Sequence, residues 1–505
     1  MKEVQFSLKE IENSPKGPEI AALFDFDGTI IAGFSVMSFM REKLISGGAS
    51  IPEIFEQLGS VLSFGLGRTG FSGLMTATAQ IMRGTKEREF VDFGEQVYEK
   101  HIAATIYPEA RALIYAHLQK GHTVAIISSA TRYQVVPAAN DLNIEHVLCT
   151  ELAVVDGLFT GDVVSPTCFG QGKVLAAEKL AAQFGCDLGK SFFYSDSDDD
   201  LLLLEAVGKP RPLNPNSRLT NIARDKGWPV RSFSSRGRPS LENLVRTAMT
   251  YSTLFPAVLA GLPIWAMTGS RTEAVNFSFS VWADYASALG GLNVSVKDEV
   301  NLWAERPAIF VFNHQSAADA IILVKLIRRD LASVGKKEIA NIPIIGQLFQ
   351  YGGVVLIDRV NKEKAIAAME PLIDVIQYEG KSVAIAPEGT RSVSTKLGKF
   401  KKGAFHLAIQ AGVPMIPIVI HNALDFMPKG DLFVRPANVD VTVLKPVDTS
   451  NWKTETIDEH VDMVRNLFLV SLGQGANDSD VSIEPQEFTL DSADGSIDEE
   501  IGGGA

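Results

Sequence analysis

Cysteine is scarce in this sequence of 505 residues, which contains only Cys149, Cys168 and Cys186. The three lie far apart, and none belongs to a CxxC pair or has a histidine at the spacing of a zinc site. Disulfide-rich proteins and zinc modules need several closely spaced thiols. The scarcity therefore argues against both classes and favours a reducing compartment such as the cytoplasm.

A basic surface is also missing from the sequence. The formal net charge is -13 at pH 7, and residues 475–505 contain nine acidic residues and neither lysine nor arginine. This tail is rich in serine, aspartate and glycine and has few large apolar residues, a composition that predicts disorder. Since nucleic-acid binding requires a basic face, we expect no nucleic-acid partner.

One segment departs from the pattern of a soluble protein. Residues 247–270 form a stretch of 24 residues without a charge, and about 20 apolar residues are enough to cross a bilayer. Pro256 and Pro263 interrupt this stretch, and a second apolar stretch follows at 277–289. We expect a helical hairpin that enters one leaflet or a single weak span, and a buried linker helix is the alternative. The arginines upstream favour a cytoplasmic location for that flank; they are Arg231, Arg236, Arg238 and Arg246.

A short apolar stretch at residues 21–24 runs directly into Asp25-Phe26-Asp27-Gly28-Thr29. This pattern is typical of a buried strand that ends at a turn. A carboxylate at the carboxyl end of such a strand points into the crevice where open α/β sheets bind ligands. By itself the pattern also fits an Asx turn or part of a calcium loop.

Two further predicted strands in the N-terminal half end in polar residues. Residues 122–127 lead into Ser128, and residues 191–194 lead into the acidic run 195–200. Between them, Lys173 follows a glycine-rich approach to a helix. The run holds four carboxylates within five residues, and these repel one another unless a cation neutralises them. An oxygen-only ligand set suits Mg²⁺, whereas a solvated acidic loop is the alternative.

In this order and spacing, the residues resemble the haloacid dehalogenase superfamily, near its phosphoserine-phosphatase-like branch. The resemblance covers about residues 20–230. It implies a doubly wound α/β sheet, a helical cap and Mg²⁺-dependent phosphomonoester hydrolysis through an aspartyl phosphate. The branch often has Ser-Ala-Ser where this chain has Ser128-Ser129-Ala130, so the phosphate-contacting serine stays open, with Ser128 preferred. The implied roles are Asp25 as nucleophile, Asp27 as general acid and base, Ser128 and Lys173 as phosphate ligands, and Asp25, Asp27, Asp196 and Asp200 at the metal.

A second set of polar residues begins at His314, which follows an apolar stretch at residues 309–312 and precedes Asp319 by five positions. A carboxylate one helical turn away can orient an imidazole and stabilise its protonated form. A histidine held in this way can accept a proton from an alcohol. As a lone pair, such residues are more often structural.

Two more predicted strands in the C-terminal half deliver arginines. One leads into Arg359, and the next is followed by Pro387-Glu388-Gly389-Thr390-Arg391. Two arginines at strand ends form a fork that suits a phosphate monoester. The lysines within residues 396–402 could bind anionic headgroups or the phosphates of coenzyme A, whereas a solvated turn is the alternative.

Together these blocks resemble the glycerolipid acyltransferase family that acylates lysophosphatidate, over about residues 295–450. The resemblance implies His314 as general base and Asp319 as its partner. It also implies a two-helix membrane-dipping segment before His314. Position 386 is Ala where many members have Phe, so we expect a different pocket wall. The residues implied to position the phosphorylated acceptor are Arg359, Glu388, Gly389 and Arg391.

The sequence thus predicts two α/β domains with a membrane-associated helical segment between them. We interpret it as a bifunctional phospholipid-synthesis enzyme that uses Mg²⁺, accepts an acyl group from acyl-CoA or acyl carrier protein, and lies on the cytoplasmic face of a bacterial inner membrane. A regulatory first domain, or one acting on a soluble phosphoserine-like metabolite, is the alternative. The predicted parts are an extension at 1–19, a phosphatase domain at 20–235 with its cap at about 32–105, a linker and helical segment at 236–294, an acyltransferase domain at 295–474 and the tail at 475–505.

Overall fold

The computed structural model describes residues 2–46, 71–336, 346–347, 351–357 and 370–474. Part of the predicted cap and the whole acidic tail lie outside these ranges. The strands are β1 Ala21–Phe24, β2 Thr123–Thr131, β3 His146–Thr150, β4 Leu152–Val155, β5 Leu158–Val163, β6 Phe192–Ser195, β7 Lys209–Pro212, β8 Leu292–Lys297, β9 Ile309–Phe312, β10 Leu331–Lys336, β11 Val355–Ile357, β12 Ser382–Ile385, β13 Met415–Ile420 and β14 Ala437–Val443.

The α-helices are α1 Lys2–Glu12, α2 Ser35–Ile45, α3 Phe71–Met82, α4 Glu87–Val97, α5 Pro108–Gln119, α6 Arg132–Leu142, α7 Gln171–Phe184, α8 Leu201–Ala206, α9 Ser217–Lys226, α10 Leu241–Ser252, α11 Leu254–Thr268, α12 Arg271–Gly290, α13 Asp319–Ile327, α14 Glu370–Gln377, α15 Gly403–Ala411 and α16 Ile457–Leu472. The helices alternate with most strands of the two large sheets. This alternation is the pattern of α/β folds and confirms the predicted fold class.

The first sheet is parallel throughout, with the strand order β3-β2-β1-β6-β7. Its middle strands β1 and β6 are buried along their whole length, which explains their continuous apolar sequences. Because parallel strands end at the same edge of a sheet, Asp25 and Asp196 emerge side by side after β1 and β6. The predicted strand at 122–127 is too short, since β2 continues to Thr131 and includes Ser128. Its pairing with β3 shifts register between Ile127 and Thr131, so the serine lies at an irregularity within the strand.

Helices α2, α3 and α4 follow β1, as the helical cap prediction requires of the described part of residues 32–105. The cap also includes the antiparallel hairpin β4–β5, which the sequence did not suggest. This hairpin is joined to the segment after α3 by two backbone hydrogen bonds, Gly84 N to Phe159 O at 2.8 Å and Phe159 N to Thr85 O at 3.0 Å. A small apolar cluster lies between them and contains Met75, Ala79, Tyr133, Leu152 and Phe159.

In chain order, helices α10, α11 and α12 lie after the strands of the first large sheet and before those of the second. Within the described ranges, the stretch Leu241–Thr268 is long and apolar enough to cross a membrane by length and composition alone, and 22% of its most apolar window is buried. Large apolar side chains face outward from the described part of the chain, including Phe255, Trp265 and Met267. Helix α11 packs closely on α12, since a Cβ atom on Gly261 would lie 2.1 Å from Ser278 Oγ.

The second sheet has the order β11-β10-β12-β9-β13-β14-β8. Strands β10, β11, β12, β9 and β13 run parallel, whereas β14 pairs antiparallel with β13. Strand β9 lies at its centre between β12 and β13. The loops that follow β9 and β12 therefore meet at one edge of the sheet, where they bring His314 close to Glu388.

Candidate active sites

The first site is organised around Lys173, whose side chain is buried between two carboxylates. Its Nζ atom lies 2.8 Å from Asp25 Oδ1 and 2.8 Å from Asp200 Oδ2. Asp200 also accepts a hydrogen bond from Ser195 Oγ at 2.7 Å. Burial alone would lower the pKa of Lys173, but the charges of Asp200 and Asp25 raise it above its usual value. A permanent positive charge therefore faces Asp25 at the edge of the sheet.

The carboxylates of this site repel one another. Burial raises the pKa of Asp25 to about 7, against the attraction of Lys173. Burial, with the charges of Asp25 and Asp200, raises the pKa of Asp196 to about 8. A Cβ atom on Gly28 would lie 2.1 Å from Asp196 Oδ2, so only glycine leaves room for this carboxylate. The site thus holds more negative charge than Lys173 balances.

This charge distribution bears on the predicted Mg²⁺ site. Within the described part of the chain, no three acidic, histidine or cysteine side chains converge tightly enough to form a ready-made metal site. The donors nevertheless fit a hard cation, because Asp25 and Asp196 offer only oxygen, and burial together with the charges of neighbouring carboxylates raises the pKa of each. The sequence prediction included Asp27 and Asp200 as well. Both oxygens of Asp27 accept hydrogen bonds from Ser35, so this carboxylate is already engaged.

Asp27 is held by the cap. The backbone amide of Ser35 donates to Asp27 Oδ1 at 2.6 Å, and its hydroxyl donates to Oδ2 at 3.1 Å. Ser35 Oγ in turn accepts a hydrogen bond from Gln134 Nε2 at 3.0 Å. Burial raises the pKa of Asp27 to about 6, although the two hydrogen bonds from Ser35 oppose this rise. Sequence reasoning missed Ser35, because nothing in the pattern SVMSFM connects it with Asp27.

Ser128 lies on β2 beside β1 and is buried. Its hydroxyl oxygen accepts a hydrogen bond from the Ala130 amide at 3.2 Å. The pairing of β1 with β2 brings Phe24 opposite Ile126, so Ser128 is two positions further along its strand than the partner of Phe24. This register places Ser128 at the same edge as Asp25.

The second site centres on a histidine and aspartate pair. His314 Nδ1 lies 2.7 Å from Asp319 Oδ2. The same oxygen accepts hydrogen bonds from the amides of Gln315 at 2.8 Å and Ser316 at 3.0 Å. Asp319 is buried, whereas 28% of the His314 side chain is exposed. With Nδ1 directed to the carboxylate, Nε2 is the ring nitrogen left to accept a proton.

The loop that carries His314 is fastened to the segment 420–427 after β13. Asn313 exchanges two hydrogen bonds of 2.7 Å with the backbone of Ile420. Gln315 Oε1 accepts from the Ala423 amide at 3.0 Å, and Ser316 Oγ donates to Met427 O at 2.6 Å. Sequence reasoning did not single out these three anchoring residues, although they lie in the same run as His314.

Glu388 joins the His314 loop to the loop after β12. Its Oε1 atom accepts a hydrogen bond from the His314 amide at 2.8 Å, and Oε2 accepts from the Gly398 amide at 3.0 Å. Burial raises the pKa of Glu388, while these two amide bonds oppose the rise. The resemblance to the acyltransferases implied that Glu388 positions the acceptor. In the structure, both of its carboxylate oxygens accept hydrogen bonds from backbone amides. Glu388 therefore connects the backbone of the His314 loop with that of the loop after β12.

Gly389 and Arg391 lie beside this bridge. Gly389 has φ +74°, a backbone conformation that favours glycine, and a Cβ atom there would lie 2.8 Å from Lys401 Nζ. Arg391 is partly buried and forms no ion pair within the described ranges. Arg391 and Lys401 thus belong to the loop that Glu388 joins to the His314 loop. The fourth predicted acceptor residue, Arg359, lies outside the described residues.

Comparisons with known proteins match the two regions of the chain to two families. Residues 22–205 match the haloacid dehalogenase-like hydrolase family, and residues 293–421 match the acyltransferase family. A probable phosphatase of Mycobacterium tuberculosis is 31% identical over 255 residues, which are 49% of this chain and 88% of that protein. The 1-acyl-sn-glycerol-3-phosphate acyltransferase of Limnanthes douglasii is 33% identical over 193 residues, or 37% of this chain and 69% of that protein.

Among solved structures, the 1-acyl-sn-glycerophosphate acyltransferase of Thermotoga maritima is 24% identical, with a TM-score of 0.38, and the match covers 46% of this chain and 97% of that one. The two family matches do not overlap, and each contains one of the two sites described above. The chain therefore belongs to the haloacid dehalogenase-like hydrolases through its N-terminal region and to the acyltransferases through its C-terminal region, and it is an enzyme of both kinds.

Proposed function

We propose that this protein is a bifunctional enzyme of phospholipid synthesis, with a phosphatase domain at about residues 20–235 and an acyltransferase domain at about 295–474. The acyltransferase would convert 1-acylglycerol 3-phosphate to phosphatidate with acyl-CoA or acyl carrier protein as donor. The observation that carries this proposal is the pair formed by His314 and Asp319, 2.7 Å apart beside Glu388 and the cations Arg391 and Lys401. The curated relative from Limnanthes douglasii supports the choice of acceptor.

In the acyl transfer step, His314 Nε2 accepts the proton of the acceptor hydroxyl. The hydroxyl oxygen attacks the thioester carbonyl, the new ester C–O bond forms, and the C–S bond breaks. The leaving thiolate then takes the proton from His314 Nε2 and departs as the thiol. Asp319 keeps the imidazole oriented and stabilises its positive charge. Arg391 and Lys401 bind the acceptor phosphate, for which they supply positive charge, since neither forms an ion pair within the residues that the structure describes.

In the phosphatase step, an oxygen of Asp25 attacks phosphorus while the bond to the leaving oxygen breaks. Asp27 donates a proton to that oxygen and then removes one from the water that hydrolyses the aspartyl phosphate. Lys173 and Ser128 bind the phosphoryl oxygens. Mg²⁺ held by Asp25 and Asp196, with Asp200 in support of the site, would supply further positive charge to the phosphoryl group.

We further propose that the phosphatase substrate is a lipid phosphomonoester and that the enzyme works at a membrane surface. Phe34 and Met37 flank Ser35 and are 65% and 52% exposed, which places apolar side chains next to the residue that holds Asp27. The outward apolar face of α11 provides a surface for the bilayer. A soluble phosphoserine-like substrate would not use either feature.

A dual assay tests the proposal. Purified protein receives lysophosphatidate, acyl-CoA and Mg²⁺, while phosphatidate, free phosphate and diacylglycerol are followed together. We expect His314→Ala to abolish phosphatidate formation and to leave phosphate release intact, and Asp25→Asn to have the opposite effect. Acylation that persists in His314→Ala would rule out the assigned base. Phosphate release from phosphoserine but from no lipid would identify the phosphatase as a soluble-metabolite enzyme.

A further inference from the structure

We infer that Arg236, from the linker that follows the phosphatase domain, is a positioning residue of the acyltransferase site. This inference rests on the proposed acyltransferase function. It means that a residue from the N-terminal half of the chain helps to order the His314 loop. Arg236 lies between α9 and α10, outside both regions matched by the two families.

Arg236 is buried and points into the C-terminal region. Its Nη2 atom donates to Leu424 O at 3.0 Å, and Nη1 donates to Asp425 O at 3.4 Å. The guanidinium also lies 3.9 Å from the Asp425 carboxylate. Two carbonyls and one carboxylate of a single short turn are thus bound by one side chain, a geometry that suits the planar fork of arginine.

The turn held by Arg236 is the one that anchors the catalytic loop. Its first residue, Ala423, donates its amide to Gln315, and Met427 O accepts from Ser316. Gln315 and Ser316 follow His314 directly, and their amides bind the same Asp319 oxygen as the imidazole. Two consecutive layers of hydrogen bonds therefore connect Arg236 with the catalytic pair.

The linker is fastened on the phosphatase side as well. Ser235 donates its hydroxyl to Glu109 at the start of α5, and Tyr107 packs edge-on against Phe233 at 5.6 Å. On the other side, Arg435 Nη2 donates to Gly237 O at 3.2 Å. Arg236 is consequently held between the two regions rather than on a free linker, and a movement of either region acts on the turn at 423–427.

Lysine cannot replace arginine at this position. Burial lowers the pKa of Arg236 to about 10, so the guanidinium is still charged at neutral pH. A lysine ammonium offers a single donor centre, which cannot reach both carbonyls in the plane of the fork. The substitution Arg236→Lys therefore preserves charge and removes the geometry. Arg238, two positions further, is exposed and has no hydrogen bond or ion pair among the described residues, so Arg238→Lys is a matched control.

Hydrogen exchange with mass spectrometry on the full-length variants tests the inference without relying on turnover. We expect Arg236→Lys to speed exchange in peptides that contain residues 313–319 and 420–427, with no change in peptides from β1, β6 and α7. Arg238→Lys should match the unaltered protein everywhere. Unchanged exchange at 313–319 in Arg236→Lys would overturn the inference, as would a uniform increase across both regions.

Kinetics give the second readout. A misplaced base costs up to about a hundredfold in rate, so we expect Arg236→Lys to lower kcat for acyl transfer by about ten- to a hundredfold with KM little changed. Phosphatase turnover should be unaffected. The melting midpoints of Arg236→Lys and of the unaltered protein are measured first. If acyl transfer by Arg236→Lys recovers fully at a temperature well below both, the role of Arg236 is purely structural and the inference is overturned. If the unaltered protein shows no acyl transfer, the proposed function is contradicted. The hydrogen-exchange result still tests the role of Arg236 in that case.

Discussion

Ser35 holds both carboxylate oxygens of Asp27, although it belongs to the first helix of the cap. Its amide and hydroxyl donate at 2.6 Å and 3.1 Å. These bonds stabilise the ionised form of Asp27, whose pKa burial raises to about 6. The position of the cap therefore controls the protonation of the proposed acid and base.

Ser35→Ala should shift the pH profile of the phosphatase. The change removes one hydrogen bond to the charged form, so the pKa of Asp27 rises further. A bond to a charged group is worth about 1.5–3 kcal/mol and a pKa unit about 1.4 kcal/mol. We expect the alkaline limb of kcat/KM, which requires protonated Asp27, to move upward by about one pH unit. Ser38→Ala on the same helix is the control, and a limb that stays in place in Ser35→Ala contradicts the role.

The first site should bind divalent cations in a pH-dependent way. Burial raises the pKa of Asp25 to about 7 and that of Asp196 to about 8. The folded state thus favours the protonated carboxyls, so their stabilising contribution is present at acid pH. It is lost as pH rises from the unfolded value near 3.8 through these folded values.

Differential scanning calorimetry measures this effect. In the presence of EDTA, we expect the melting temperature of the N-terminal region to fall across that range, and Mg²⁺ to raise it most at the alkaline end. Asp196→Asn removes one of the repelling charges and should flatten both responses. Equal stabilisation by Mg²⁺ at both ends of the range, or in Asp196→Asn, would be inconsistent with a cation between these carboxylates.

Glu388→Gln should impair acyl transfer through a shift of the His314 loop rather than through a loss of substrate binding. The side-chain oxygen of glutamine can still accept a hydrogen bond from one of the two backbone amides. The new NH₂ group, however, is a donor that faces the N–H of the other backbone amide. An unsatisfied buried donor costs about 1–3 kcal/mol, and the His314 loop would shift to avoid it. We expect a fall in kcat of about tenfold or more, measured by phosphatidate formation. The exposed Glu455 provides the control Glu455→Gln, and an unchanged kcat in Glu388→Gln would exclude a positioning role.

The apolar face of the helical segment should decide membrane binding. Trp265 and Met267 are 52% and 83% exposed, and burial of one large apolar side chain contributes about 1.5–3 kcal/mol. We expect the double change Trp265→Glu and Met267→Glu to reduce flotation with anionic vesicles by at least about tenfold. Val470 is 74% exposed on α16, so Val470→Glu tests for a general effect of added charge. If both variants lose binding equally, the segment is not the docking surface.

Local patterns predicted the residues that lie at strand ends. Asp25 and Asp196 follow short apolar strands, and their place at the edge of a parallel sheet follows from topology alone. His314 and Asp319 are five positions apart, and the short loop between β9 and α13 brings them together. In these cases, the chemistry is carried by residues that are close in sequence or that occupy equivalent strand positions.

Contacts between distant segments could not be predicted in this way. Glu388 was grouped with substrate ligands, but it binds the amide of a residue 74 positions away. Arg236 bonds to the carbonyl of Leu424 across 188 positions, and no periodicity in either segment encodes this pairing. Such bonds use backbone groups as partners, and every residue has these groups, so the sequence gives no complementary pattern to find.

Helix α12 is held along its length by contacts with its neighbours α11 and α13. Gly261 allows α11 to lie tightly against Ser278, and Asp284 forms ion pairs with Lys325 at 2.9 Å and Arg328 at 2.8 Å. Lys325 belongs to α13, the helix that begins at Asp319. A helix of 20 residues is about 30 Å long, and α12 packs both against α11, which carries outward apolar side chains, and against α13, which begins at Asp319. A displacement of α11 would therefore reach Asp319 through packed helices rather than through a flexible tether.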